Sequence, residues 1–198
     1  DPDAIIKIED VNLVLGTKDK NKIFEEVQKI SKHDKVVRVT NIMDELEFEN
    51  LSVTSYTKNT RAFIKIQDGC DRYCSYCIIP YTRGRIRSRN ISDIVREVQS
   101  LSDNGYKEVV LTGIHIASYG KDLKKSKNEL IPIIDSQKDD FIQADISLID
   151  VIEEVSKIKN IHRVRIGSVE PIIISDDFLK RLTKIEKFCH HFHLSLQS

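Results

Sequence analysis

The chain has 198 residues, and its 31 basic and 31 acidic side chains cancel, which excludes a whole-molecule field that would draw in nucleic acid. Any RNA contact has to come from a local patch or from sequence outside these residues. Four cysteines, three of them clustered, do not form the pattern of a secreted disulfide framework, and no apolar run approaches the roughly 18 residues of a membrane span.

Val11-Asn-Leu-Val-Leu-Gly16 is a short apolar run ending in glycine, the pattern of a buried strand entering a loop. Ile23, Phe24, Val27 and Ile30 follow at helical spacing. Residues 33–60 alternate around an acidic stretch at 44–49 and read as a linker with extended segments. A strand–helix rhythm begins at Phe63. Residues 63–67 form its first strand, with the clustered cysteines just beyond. A helix then carries Ile91, Ile94, Val95, Val98 and Leu101 on one stripe, with Asn90 placed to cap it and Gly105 to end it.

Residues 109–111 form a second, wholly apolar strand, and residues 121–144 fit neither period, as an insertion would. Leu148, Val151, Ile152, Val155 and Ile158 mark the next helix, and residues 163–167 a third strand. Ser175 can cap a helix bearing Leu179, Leu182 and Ile185, and Phe192, Leu194 and Leu196 alternate in a fourth strand. Strands alternating with helices imply an α/β protein built from parallel βαβ units. At roughly 30 residues per unit, the length after Phe63 holds three units and one strand once the insertion is set aside.

Cys70, Cys74 and Cys77 form a C-x3-C-x2-C triplet, with Gly69 and Asp71 as turn formers where the loop doubles back. Thiolates are soft ligands and hold iron–sulfur clusters. Three of them leave one corner of a [4Fe–4S] cubane open for an outside ligand. The rivals are a zinc knuckle, which favours four Cys or His ligands, and cysteines that are merely buried. Arg83, Arg85, Arg87 and Arg89 recur at every second position, so an extended backbone would align them on one side. Phosphate is their natural guest, and internal carboxylate pairs are the rival. His191 and His193 would share a strand face with no third metal ligand in reach, and Cys189 reads as a buried thiol.

The C-x3-C-x-Tyr-Cys pattern, with Tyr76 before the last cysteine, resembles the signature of radical S-adenosylmethionine (SAM) enzymes. The wider run over residues 66–89 resembles the methylthiotransferases of that superfamily. Leu111-Thr-Gly-Ile-His-Ile-Ala-Ser-Tyr-Gly120 is similar to the branch acting on N6-threonylcarbamoyladenosine in tRNA; the sister branch acting on isopentenyladenosine usually has Gly-Gln-Asn there. Gly167-Ser-Val-Glu-Pro171 and His193-Leu-Ser-Leu-Gln-Ser198 fit the same branch. The likeness covers most of residues 61–120 and 147–198 and is weaker before residue 60.

This resemblance implies that residues 1–60 are the end of an α/β methylthiotransferase N-terminal domain plus a linker. Residues 61–198 would be a partial (βα) radical SAM barrel, truncated before its last two units. Beginning without Met and ending in a strand pattern, the chain reads as a fragment. It further implies a [4Fe–4S] cluster on Cys70, Cys74 and Cys77, with SAM at the open iron. Tyr76, Thr112, Gly113, Ser168, Glu170 and Gln197 would be placed for SAM, each against the plainer reading of a turn, cap or strand end. Arg83, Arg85, Arg87 and Arg89 would meet the tRNA backbone. The implied reaction converts the nucleoside to its 2-methylthio derivative through a 5′-deoxyadenosyl radical formed from SAM. A flavodoxin- or ferredoxin-like electron donor would serve it, in the cytoplasm and without a membrane. A second [4Fe–4S] cluster, held by three N-terminal-domain cysteines, would supply the sulfur, and no cysteine lies before Cys70, so these 198 residues alone would not complete the reaction. The alternatives are another methylthiotransferase target, such as isopentenyladenosine or a ribosomal protein, or a metal-cluster module without SAM chemistry.

Overall fold

The computed structural model describes residues 1–18, 20–53, 60–123 and 146–196. The single turn α1 (Pro2–Ile5) is capped by the Asp1 side chain. Strand β1 (Leu13–Leu15), helix α2 (Ile23–Lys29) and strand β2 (Val36–Arg38) then form a small parallel βαβ unit, with Leu13 opposite Val36. One of the extended segments expected within residues 33–60 is strand β2, over residues 36–38. Two adjacent valines there suit a ladder, and their partner strand lies 23 residues upstream, beyond local periodicity. Helix α2 forms where the apolar spacing places it, yet Ile23, Phe24 and Val27 remain 53 %, 70 % and 52 % exposed.

The core sheet has the order β4-β3-β5-β6. Strands β3 (Ala62–Asp68), β5 (Glu108–Gly113) and β6 (Arg163–Ile166) run parallel, and β4 (Arg87–Ser88) pairs antiparallel to the end of β3. Ala62, Ile64 and Ile66 point into the core while Phe63 and Lys65 point out, so β3 follows the period-2 rule. Helices α4 (Ile91–Asp103) and α5 (Leu148–Ser156) cover the buried face with Ile94, Val98 and Leu101 and with Val151, Ile152 and Val155. Each such side chain contributes about 1.5–3 kcal/mol through burial.

The helix ends show which local signals held. Asn90 stands at the N-cap of α4 but makes no side-chain cap bond; its backbone carbonyl accepts from the Asp93 and Ile94 amides instead. Gly105 has φ +93°, and Tyr106 N–H donates to the Leu101 carbonyl at 3.0 Å, closing the helix through a left-handed glycine. Ser147 and Asp150 form a capping box on α5 that the apolar spacing did not reveal. Ser175 caps α6 (Asp176–Leu182) as expected, its hydroxyl oxygen accepting from Phe178 N–H at 3.2 Å.

Beyond β6 the backbone steps at Gly167 into β7 (Ser168–Val169), which pairs in parallel with β8 (His193–Leu194). The expected fourth strand is two residues long among the described residues and pairs with β7, and the segment before it meets β6 through a single parallel bridge from Phe188 to Val164. Most of the expected insertion, residues 124–145, lies outside the described residues, as does Gln197.

Candidate metal and cofactor site

The cysteine loop leaves the C-terminal end of β3, the end at which parallel α/β sheets place their sites. Gly69 makes the turn at φ +71°, and a Cβ added there would lie 1.8 Å from the Arg85 carbonyl oxygen. No residue other than glycine fits. Cys70 N–H donates to the Gly84 carbonyl at 3.1 Å, tying the loop to the segment ahead of β4, and Cys77 N–H donates to the Cys74 carbonyl at 2.9 Å. Tyr73 takes a left-handed φ of +50° and packs edge-on against Tyr81, with ring centroids 5.7 Å apart. Tyr81 belongs to the short helix α3 (Ile79–Arg83) that follows the loop.

All three thiols are free, Cys74 exposed and Cys70 and Cys77 half-buried. Burial pushes the Cys70 thiol up, an effect opposed by a backbone hydrogen bond at Arg72 and reinforced by Cys74, Cys77 and Glu170. The three sulfurs therefore share one electrostatic neighbourhood. Among the described residues no three His, Cys, Asp or Glu side chains converge into a group that could hold a metal ion as they stand. The donor set, three soft thiols on one glycine-hinged loop, nonetheless fits a thiolate-held iron–sulfur cluster.

Opposite the loop, Arg72 Nη2 lies 3.1 Å from Glu170 Oε2, and His115 Nε2 lies 2.8 Å from the same oxygen. The His115 approach is too poorly directed to be a good hydrogen bond, and the buried Nδ1 has no partner either. Burial raises the Glu170 carboxyl, but His115 and then Arg72 outweigh it and hold it below its ordinary value. An open cleft of about 370 Å³ runs between Arg72, Cys74, Glu170, Pro171, Ser195 and Leu196. The structure thus brings Glu170 to the cysteine loop.

The other expected SAM residues stand apart in role. Thr112 Oγ1 donates to the Ile64 carbonyl at 3.1 Å, so its hydroxyl serves the sheet. Gly113 packs against Gln67, where an added Cβ would sit 2.9 Å from Oε1. Ser168 Oγ lies 2.8 Å from His193 Nδ1 across the β7–β8 pair. Tyr76 is 75 % exposed on the loop.

Two residues that the motifs did not single out organise this end of the sheet. Gln67 is fully buried; its Nε2 donates to the carbonyls of Asp68 and Gly69, both at 2.7 Å, and its Oε1 accepts from His115 N–H at 2.7 Å. His115 supplies that amide and the ring beside Glu170. A glutamine continuing the apolar run of β3 is the signal that marks Gln67, because a buried amide needs partners.

The arginine row is corrected. Arg83 closes α3, Gly84 turns at φ +73°, and only Arg87 lies in a strand, so no extended side aligns the four. Arg87 and Arg89 are 5 % and 3 % exposed. Arg87 donates to the Arg83 carbonyl at 2.8 Å and faces Asp68 at 3.7 Å. Arg89 pairs with buried Glu97 and donates to Asn50 Oδ1 at 2.8 Å and Ser52 Oγ at 3.1 Å. Arg85 alone of the four is exposed, with Arg83 half-buried.

The family model described as the radical SAM superfamily matches residues 64–198. The threonylcarbamoyladenosine tRNA methylthiotransferase of Bacillus subtilis is 34 % identical over 199 residues, 100 % of this chain and 40 % of that protein. The like-named protein of Aquifex aeolicus is 33 % identical, covering 100 % of this chain and 43 % of its own length. A tRNA-2-methylthio-N(6)-dimethylallyladenosine synthase of Clostridium tetani is 33 % identical over 95 % of this chain and 37 % of its own. The chain spans about two fifths of the length of the curated relatives it matches.

Proposed function

The chain belongs to the radical SAM superfamily, and from that we propose that the full-length protein is a tRNA methylthiotransferase acting on N6-threonylcarbamoyladenosine. The observation that carries the methylthiotransferase part of this reading is the extent of the likeness. The superfamily match begins at residue 64, whereas the similarity to the Bacillus subtilis relative spans the whole chain, including the β1–α2–β2 unit. That unit is, on this reading, the end of the N-terminal methylthiotransferase domain, and residues 61–198 are radical SAM core.

Cys70, Cys74 and Cys77 would hold a [4Fe–4S] cluster, which when bound supplies the single electron for reductive cleavage of SAM. The chain's own part is to bind and orient. Glu170, held below its ordinary protonation range, stays anionic beside the cleft and can accept from an ammonium or ribose hydroxyl of SAM. Ser168, Gln197, Tyr76 and the backbone at Thr112 and Gly113 are the other candidate contacts. Pro171 and Leu196 make one wall of the cleft apolar. Exposed Arg85, with Arg83 beside it, can meet RNA phosphate. A flavodoxin- or ferredoxin-like donor would reduce the cluster, and a second cluster elsewhere in the protein would supply sulfur. On this reading the protein would meet tRNA in the cytoplasm; no helix among the described residues is long and apolar enough to cross a membrane.

Mass spectrometry of tRNA nucleosides from a deletion strain tests the reading. Loss of 2-methylthio-N6-threonylcarbamoyladenosine is expected. Loss of the 2-methylthio dimethylallyl nucleoside instead would move the protein to the function named for the Clostridium tetani relative.

A further inference from the structure

The polar contacts at the end of the sheet close into a ring around the first half of the cysteine loop. Gln67 holds the turn entering the loop through the Asp68 and Gly69 carbonyls. It also accepts the amide of His115, from the segment after β5. The His115 ring lies against Glu170, beyond β7, and Glu170 reaches back to Arg72 inside the loop. Cys70 therefore sits between two anchored points, Gly69 and Arg72. Apart from this ring, Cys70 N–H is tied to the Gly84 carbonyl. Glu170 is the member that joins the far strand to the loop.

We infer that Arg72 and Glu170 form a latch that sets the position of the cysteine loop, making Glu170 a positioning residue whether or not it also touches SAM. The burial pattern supports a mechanical role. His115 is 8 % exposed and fixed at its backbone by a fully buried glutamine, so the Glu170 carboxylate leans on a rigid wall. Arg72 is 40 % exposed at its side chain and rises from a loop whose next residue, Tyr73, is held in a left-handed conformation. A charge-assisted contact from that partly exposed side chain to a buried wall ties the loop to the far strand. Without it, Cys70 and Cys74 would sample positions that open the loop. The consequence for cluster binding rests on the cysteine loop being the cluster site, but the latch itself exists in the metal-free chain.

The test uses metal-free full-length protein, kept anaerobic and alkylated with iodoacetamide, a neutral reagent, with rates read cysteine by cysteine from peptides. Glu170→Ala and Arg72→Ala should each speed alkylation of Cys70 about fivefold, as local opening becomes easier, with Cys189 unchanged. Glu170→Gln keeps an oxygen that can accept from Arg72 and should stay within about twofold of the parent protein. Pure electrostatics makes a different forecast, because removing the anion and removing the cation must shift thiol reactivity in opposite directions. Opposite shifts would overturn the latch, as would a Glu170→Gln variant indistinguishable from Glu170→Ala, an unchanged Cys70, or a Cys189 that accelerates equally. No tRNA or SAM enters the readout, so a different nucleoside substrate would leave the result intact.

Discussion

Replacing Glu97 with alanine should destabilise the protein by about 3–5 kcal/mol, the cost of stranding one partner of a buried ion pair. The side chains of Arg89 and Glu97 are only 3 % and 4 % exposed, so water cannot replace the lost contact. Glu97 also accepts the Val53 amide at 3.0 Å, and Asn50 and Ser52 hold the same guanidinium. One substitution therefore orphans a buried cation and loosens the segment linking the β1–α2–β2 unit to the core. At about 2–4 °C per kcal/mol for a chain of this size, the melting temperature should fall by roughly 10 °C. Urea unfolding of Glu97→Ala, Arg89→Met and the double variant Arg89→Met/Glu97→Leu measures it. The double variant should recover much of the loss, because replacing both charges removes the unpaired group. A Glu97→Ala loss below about 1 kcal/mol would mean that water reaches Arg89, and the burial argument would fail.

The same geometry separates the arginines by function: Arg85→Gln should lower the salt slope of tRNA binding by about 0.7–0.9, whereas Arg89→Gln should lower stability and leave the slope unchanged. Gly69→Ala should block iron uptake in reconstitution while circular dichroism stays near that of the parent protein, since its Cβ would meet the Arg85 carbonyl at 1.8 Å in a left-handed turn. For Asp150, burial raises the carboxyl, but hydrogen bonds from Arg181 and Ser147 outweigh it and hold it below its ordinary value. A depressed carboxylate contributes stability above its unfolded pKa of about 4 and loses it as pH falls through the folded value. Stability measured between about pH 5 and 2 should therefore fall less steeply in Arg181→Gln than in the parent protein.

Local pattern carried the cysteine loop, the Ser175 cap and, apart from the short α3, β4 and β7, the main parallel strands and covering helices from residue 62 onward, because each depends on residues close in sequence. The rest was set by partners far away. Strand β2 exists because Val36 finds Leu13, and the fate of Arg87 and Arg89 was decided by Asp68 on the neighbouring strand and Glu97 on the next helix. The alternating arginines also presumed extended backbone, which Gly84 breaks at φ +73°. Gln67 and His115 matter through buried contacts with backbone groups and with each other, and no spacing rule encodes those. Exposure of Ile23, Phe24 and Val27 shows the reverse limit: periodicity fixes which side of α2 is apolar, not what lies against it.

The most direct measurement is the iron and sulfide content of anaerobically reconstituted full-length protein compared with its Cys74→Ala variant. The account predicts that the substitution removes about four irons and four sulfides and the matching dithionite-bleachable absorbance, because Cys70, Cys74 and Cys77 hold one cluster together. Equal iron in both proteins, or stoichiometric zinc with no iron uptake, would contradict it.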